Sequence, residues 1–526
     1  MARGGGPGHR SPAQNPARAS ASAVASTAAA TRRLQIIAIV VVALIGVAMR
    51  VWVLQSGAGA LDSDEGVPGL MARHLLDGHM STFYWGQEYG GTLEVVLDAI
   101  AVFIGGSTRL ALKTPPMLEA VLLTLLVWRV GRRTVGGWAG GLAALMVWIW
   151  PANYVWYSTK ERVFYLPILL LGLGILLLAT RLDDDSGRRR DWLLFGFIAG
   201  IGWWTGPQIV FSVGPALLWL AWRQRARIWP GIAYAAGAAV VGAAPWIRAN
   251  LRSGFASLDT TALDDHLGVV THLETILRRG IPSALGLRFS YTEFWLRPPV
   301  GQILYWVALV VLVLASIRLW RTSSLLVVTV GLFPFLAAVS PSAGFVGEGR
   351  YMIYVWPLLA LLFSGVVAAL DRRQIGAIGL LLLVGVISVV GLRRVPDSVS
   401  PYAPDVRVPE DMAPLIDGLD KLGVRHAFAH YWIAYRLDFE TGEHVLATPI
   451  DASRNPEILA KVRKDPRAAS VFVVGSATEP TFRKGLRALA VPYDRHRFGD
   501  FVVVVPKRPT TPEAVSQAAG SPTVIP

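Results

Sequence analysis

The 526-residue chain contains no cysteine, which excludes disulfides, thiolate metal sites and cysteine nucleophiles together. That absence does not identify a compartment, because many exported domains also lack disulfides. Lysine is scarce, with seven of the 50 basic residues, and alongside abundant alanine and glycine this reads as a bias toward GC-rich codons rather than as chemistry. Charged residues of either sign make up only 16%. No paired histidine spacing supports a zinc site. Nor is there a nucleotide fingerprint: Gly475-Ser476-Ala477-Thr478 falls between a predicted strand and helix but lacks the glycine pattern.

What remains is apolar: 53% hydrophobic residues, 19 Trp and a mean hydropathy of +0.46. This composition marks a polytopic α-helical membrane protein. The formal charge of +14 does not point to nucleic acid, since the arginines recur in short clusters between apolar runs, as in loops that anchor to anionic headgroups.

Residues 1–31, rich in Gly, Pro, Ala, Ser and Arg, are predicted to be a disordered cytoplasmic tail. Leu34 to Leu54 is long enough to span, with Arg32-Arg33 holding its start inside. Residues 55–115 are predicted to form a long external loop, carrying an amphipathic helix with Val67, Leu70, Met71 and Leu75 on the membrane surface and an interfacial piece at Leu93 to Ile104. Counting Lys and Arg at each junction then gives about eleven spans between residues 32 and 395, with further external loops at 151–162, 248–299 and 340–350. After Pro396 the composition becomes that of a soluble protein, and residues 396–506 are predicted to be a small extracytoplasmic α/β domain. The Pro/Thr/Ser-rich end, 507–526, is predicted to be frayed.

This topology gathers four polar clusters on one membrane face. They are Asp62, Asp64 and Glu65 with Glu88 and Glu94; Lys160-Glu161-Arg162; Asp264, Asp265 and His266 with His272; and Glu348, Arg350 and Tyr351. Each has a plain reading: Asp64-Glu65 can cap the surface helix, Arg350 can snorkel to the interface, and Lys160 and Arg162 can meet headgroups. A cap needs one acid, however, and this stretch has three. Carboxylates and cations converging above a bundle suit a reaction that needs a base and an anion clamp. A lipid-linked phosphate is the natural anion at that level.

Three features carry a resemblance: the Asp64-Glu65 pair early in the first loop, the run from Phe83 to Glu94 before an interfacial helix, and Gly349-Arg350-Tyr351 entering a late span with Pro357. With them the chain resembles bacterial relatives of the protein O-mannosyltransferases and, more broadly, the GT-C membrane glycosyltransferases. The run from His430 to Leu437 is similar to a segment of some bacterial members. The resemblance implies an integral plasma-membrane enzyme that moves a hexosyl or pentosyl group, with inversion, from a polyprenyl-phosphate donor to an extracytoplasmic acceptor. That acceptor would be a protein hydroxyl, a cell-wall glycan or a glycolipid. Mapped by position, Asp64 would be the base and Glu65 its neighbour, Arg350 would hold the donor phosphate, and Lys160 or Arg162 would be a second contact. Asp62, Glu88, Tyr89, Glu94, His266 and Tyr351 complete the expected substrate-binding set. The sequence departs from the pattern at Tyr89-Gly90-Gly91-Thr92-Leu93, where related transferases carry Lys-Pro-Pro or His-Pro-Pro, and at Lys160-Glu161-Arg162, where metal-dependent members carry Asp-x-Glu. No essential metal is expected, although the first-loop acids could bind a divalent ion loosely. The alternative is a flippase or transporter of polyprenyl-linked sugars, but charges buried at mid-span and internal repeats are not evident.

Overall fold

The computed structural model describes residues 16–185, 188–259, 266–288, 294–347, 349–395, 399–400, 403–407 and 409–520. Among them, five helices are long and apolar enough to cross a membrane: Gln35–Gln55, Arg109–Thr134, Tyr165–Asp184, Val300–Ala338 and Arg373–Leu392. The bent pair Trp229–Gly242 and Ala244–Ser253, angled by 61°, makes a sixth if taken as one span. The predicted eleven apolar segments are thus unequal. Gly137–Ile149 and Trp356–Ala368 are apolar but short, and Arg189–Thr205 and Val210–Gln224 are separated at Gly206-Pro207. Val300–Ala338 joins two predicted spans, and at 39 residues it measures about 58 Å at 1.5 Å per residue. It kinks at Ser323 (φ −135°), whose hydroxyl donates to the Thr134 carbonyl at 2.7 Å.

Several boundaries differ from those read in the sequence. The first helix begins at Pro16, so residues 16–31 are helical rather than part of a disordered tail. Alanine dominates that stretch, and its helix propensity lets the span extend backward. The predicted loop 55–115 ends early, because the helix Arg109–Thr134 absorbs Pro115 and Pro116 and carries Lys113 on its second turn. The helix Ser63–Leu76 does not lie on a membrane surface: Val67, Leu70 and Met71 are buried. It is covered by a helix of the tail domain, Tyr431–Glu440.

The tail domain is built on a five-stranded mixed sheet. Its spatial order is Leu446–Thr448, His426–Ala429, Ala469–Val473, Phe501–Pro506 and Tyr493–Phe498, the first three parallel and the last two antiparallel to their neighbours. Ala469–Val473 is buried along its whole length, as a central strand covered on both faces should be. The end of the chain is not frayed up to Gly520: Thr511 caps a helix Pro512–Ala519 by accepting from the Ala514 amide at 3.2 Å, and Val515 is buried.

Candidate active site

The sequence Asp62-Ser63-Asp64-Glu65 starts a helix, and its four side chains diverge because successive helical residues turn by about 100°. Asp62 is the cap: its carboxylate accepts from the Glu65 amide at 3.3 Å. The same carboxylate takes a two-pronged contact from Arg162, at 2.9 and 2.7 Å, with Lys160 at 3.4 Å. Burial opposes its ionisation, but Arg162 and Lys160 prevail and hold it well below the usual carboxylate range. Glu65 points inward. It is 0% exposed, pairs with Lys113 and with Lys160 at 2.8 Å, and accepts from the Glu161 amide at 3.1 Å. Lys160 also donates to the Ala60 carbonyl. The loop around Asp62 is thereby stapled to residues 160–162 by groups that solvent does not reach.

Asp64 is different. Its side chain is 25% exposed and lines a cavity of about 290 Å³. One carboxylate oxygen accepts from the Tyr431 hydroxyl at 2.6 Å, and the other lies 3.4 Å from the Arg162 guanidinium. Burial, followed by the neighbouring Asp64 charge, raises the Tyr431 pKa well above the ordinary phenol value, so Tyr431 is a neutral donor near pH 7. Tyr84 adds a hydrogen bond to the Asp64 carbonyl at 3.1 Å.

Two further cations line the same cavity as this acid. Arg350 lies against the rings of Phe345 and Tyr351, with its guanidinium carbon 5.1 and 5.2 Å from the ring centres. Arg454, from the tail domain, sits 5.5 Å from the centre of the Tyr431 ring and donates to the Gly86 carbonyl at 3.2 Å. Tyr89 lines the cavity with them and feels both charges. Burial nevertheless raises its phenol to about 12. The short hairpin Phe83–Tyr84/Gln87–Gly91 sets this order by strand alternation: Gln87 and Tyr89 face the cavity, while Glu88 is exposed on the other side.

The other predicted residues fall into three groups. Asp64, Tyr89, Arg162, Arg350 and Tyr351 line the cavity. Asp62, Glu65 and Lys160 form the buried scaffold behind it. Glu88, Glu94 and His266 lie elsewhere: Glu88 and His266 are exposed, and Glu94 is buried with Asp98, Glu119 and Glu161. Burial, reinforced by these neighbours, holds Glu94 well above the usual carboxylate range; burial also raises Glu161 to about 7, against the lowering effect of its hydrogen bonds with Glu94 and the Val163 amide. His272 is buried on another element, with Nδ1 3.0 Å from the Ala338 carbonyl. Asp264, Asp265 and Glu348 lie outside the described residues. Among the described residues no three His, Asp or Glu side chains are grouped to hold a metal ion.

Sequence reasoning missed Lys113, Tyr431 and Arg454. Lys113 was a readable signal, an isolated cation beside two prolines at the foot of an apolar run. The tail residues offered only the aromatic run from His430.

A family model described as dolichyl-phosphate-mannose-protein mannosyltransferase matches residues 96–247. No curated protein sequence matches the chain significantly. Among solved structures, ArnT from Cupriavidus metallidurans in the apo state is similar, with 14% identity and a TM-score of 0.61 over 91% of this chain and 98% of that one. The same protein bound to undecaprenyl phosphate gives 12% identity and a TM-score of 0.58 over 89% and 97%. AglB from Archaeoglobus fulgidus, in complex with an inhibitory peptide and a dolichol-phosphate, covers 87% of this chain and 71% of that one at 14% identity, but its TM-score of 0.48 is too low to add to the argument.

Proposed function

The chain has the GT-C fold of membrane glycosyltransferases, and on that footing we propose that it transfers a sugar from a polyprenyl-phosphate donor to an acceptor hydroxyl, with inversion at the anomeric carbon. The observation that carries this reading is the cavity itself: among the described residues Asp64 is the carboxylate that opens into it, and Arg350 and Arg454 line the same space. Asp64 takes the proton of the acceptor hydroxyl as that oxygen attacks the anomeric carbon. The bond from that carbon to the phosphate oxygen breaks, and its electron pair leaves with the phosphate. Arg350 and Arg454 stabilise the charge that gathers there. Arg162 contributes mainly by holding Asp62 and orienting Asp64, because its two-pronged contact is already made. The solved likeness to an ArnT structure bound to undecaprenyl phosphate supports a lipid-phosphate leaving group. In this reading the cavity opens to the extracytoplasmic side of the plasma membrane.

The test is Asp64→Asn in membranes supplied with polyprenyl-phosphate sugars. Loss of a general base should lower transfer by about 10²–10⁴-fold at unchanged protein level. Full activity in that variant would refute the assignment.

A further inference from the structure

Beside the first cavity lies a second of about 820 Å³, and Arg454 lines both. The partition is the hairpin. Tyr84 and its strand partner Gln87 face the smaller space, while Trp85, next in sequence to Tyr84, turns into the larger one. The helix Ser63–Leu76 runs along both, giving Asp64 to one and Met71 and His74 to the other. The tail domain closes the larger space with Asn455 and Glu457 next to Arg454.

We propose that this larger cavity is the acceptor subsite and that it takes a carbohydrate, an inference that rests on the glycosyl-transfer reading of the smaller one. The volume falls within the range of small-molecule sites. The half-buried Trp85 ring is held edge to face by His74 at 5.1 Å, and His74 is itself fixed with Nε2 2.9 Å from Glu443. One face of a sugar ring presents weakly positive C–H groups, which the electron-rich face of an indole attracts. The rim of the ring presents hydroxyls that need donors and acceptors: the Glu457 carboxylate accepts, the Asn455 amide nitrogen donates while its oxygen caps a helix, and the His79 ring offers either role. These groups are of mixed sign, which suits a neutral polyhydroxylated ligand better than a phosphorylated one. A peptide pairing with the chain that leads into the hairpin, or with its turn, is less well served. The carbonyls of Ser81, Thr82 and Gly86 already accept from Thr92, Trp204 and Arg454, at 2.7, 2.9 and 3.2 Å. Arg454, common to both linings, marks the side on which a glycan seated on Trp85 would extend its terminal hydroxyl toward Asp64.

Saturation-transfer NMR on the full-length protein in lipid nanodiscs tests this without any donor present. The probes are mannotriose, galactotriose, arabinotriose and a Ser/Thr-rich peptide. At least one trisaccharide should receive saturation, and Trp85→Ala should reduce it about fivefold, the order expected for losing one aromatic stacking contact. Saturation of the peptide alone, of no probe, or of a trisaccharide equally in wild type and variant would overturn the proposal. Should Trp85→Ala fail to fold, the exposed Glu457→Ala serves instead: a clear drop supports the subsite and an unchanged signal refutes it. Because binding is read without donor, its failure leaves the Asp64→Asn test standing. Conversely, full transfer by Asp64→Asn would remove the catalytic reading while leaving a measured sugar site.

Discussion

Asp62, Asp64 and Glu65 lie within four residues of one another, yet each has its own set of partners, with Lys160 shared by the first and third and Arg162 by the first and second. Arg162 and Lys160 take the first, Lys113 and Lys160 take the third, and Tyr431 takes the second. Removing the Tyr431 hydroxyl should therefore act on the orientation of Asp64 rather than on substrate affinity. Tyr431→Phe is expected to lower kcat about tenfold or somewhat more, the range for a lost hydrogen bond to a charged group, with little change in KM. Steady-state kinetics with varied donor reads that split, and a rise in KM at constant kcat would contradict it. The sequence singled out Asp64 because position in the first loop and proximity to a greasy segment are local properties. Its partner lies 367 residues downstream. Contacts at that separation leave no periodicity or spacing to read.

At the level of elements, the site depends on how closely two helices approach. Gly66 lies directly against the Tyr435 carbonyl, and a Cβ built on Gly69 would come within 2.6 Å of the Phe439 ring. The two glycines, three apart, form one smooth face of the helix Ser63–Leu76, against which Tyr431–Glu440 settles. Ser63 marks the register by accepting from the Tyr435 amide at 3.1 Å. Gly66→Val should push this tail helix away at a cost of about 1–3 kcal/mol, the usual penalty of overpacking. Activity should fall, and limited proteolysis should cut faster between residues 395 and 413. Unchanged cleavage would show that the packing tolerates the side chain. Strands and helices of the tail were legible from hydrophobic pattern and turn residues, as at Ala413–Leu422 and Phe501–Pro506. The helix Ser63–Leu76 was legible too, but its apolar face was assigned to lipid, because periodicity reports that a face is buried and not what buries it.

Across the whole molecule, the buried acids behind the site impose a pH dependence. Glu161, raised by burial from 4.5 to about 7, keeps its proton in the folded protein after the unfolded chain has lost it. The folded state then binds more protons than the unfolded state between those values, so stability must fall as pH rises through that window. Thermal unfolding in detergent should show a lower midpoint at pH 8 than at pH 5, and Glu161→Gln should shrink the difference. An equal decline in both proteins would place its origin in other groups. The apolar content and arginine spacing made the membrane class legible, whereas the number of full-length crossings was not. Proline and glycine interrupt apolar stretches at points such as Gly206-Pro207, and hydropathy alone does not distinguish a crossing from a shorter buried helix.

The bond between Asp64 and Tyr431 also has a consequence in time. A ribosome makes the three acids, Lys113 and the Lys160–Arg162 segment early, and all of these can assemble while most of the chain is still to come. The Tyr431 hydroxyl that binds Asp64, and Arg454 beside it, arrive only after more than four-fifths of the chain has been made. A nascent or prematurely ended polypeptide that stops before residue 431 thus possesses Asp64 without its hydrogen-bond donor, so the cavity wall is completed only when translation is nearly over.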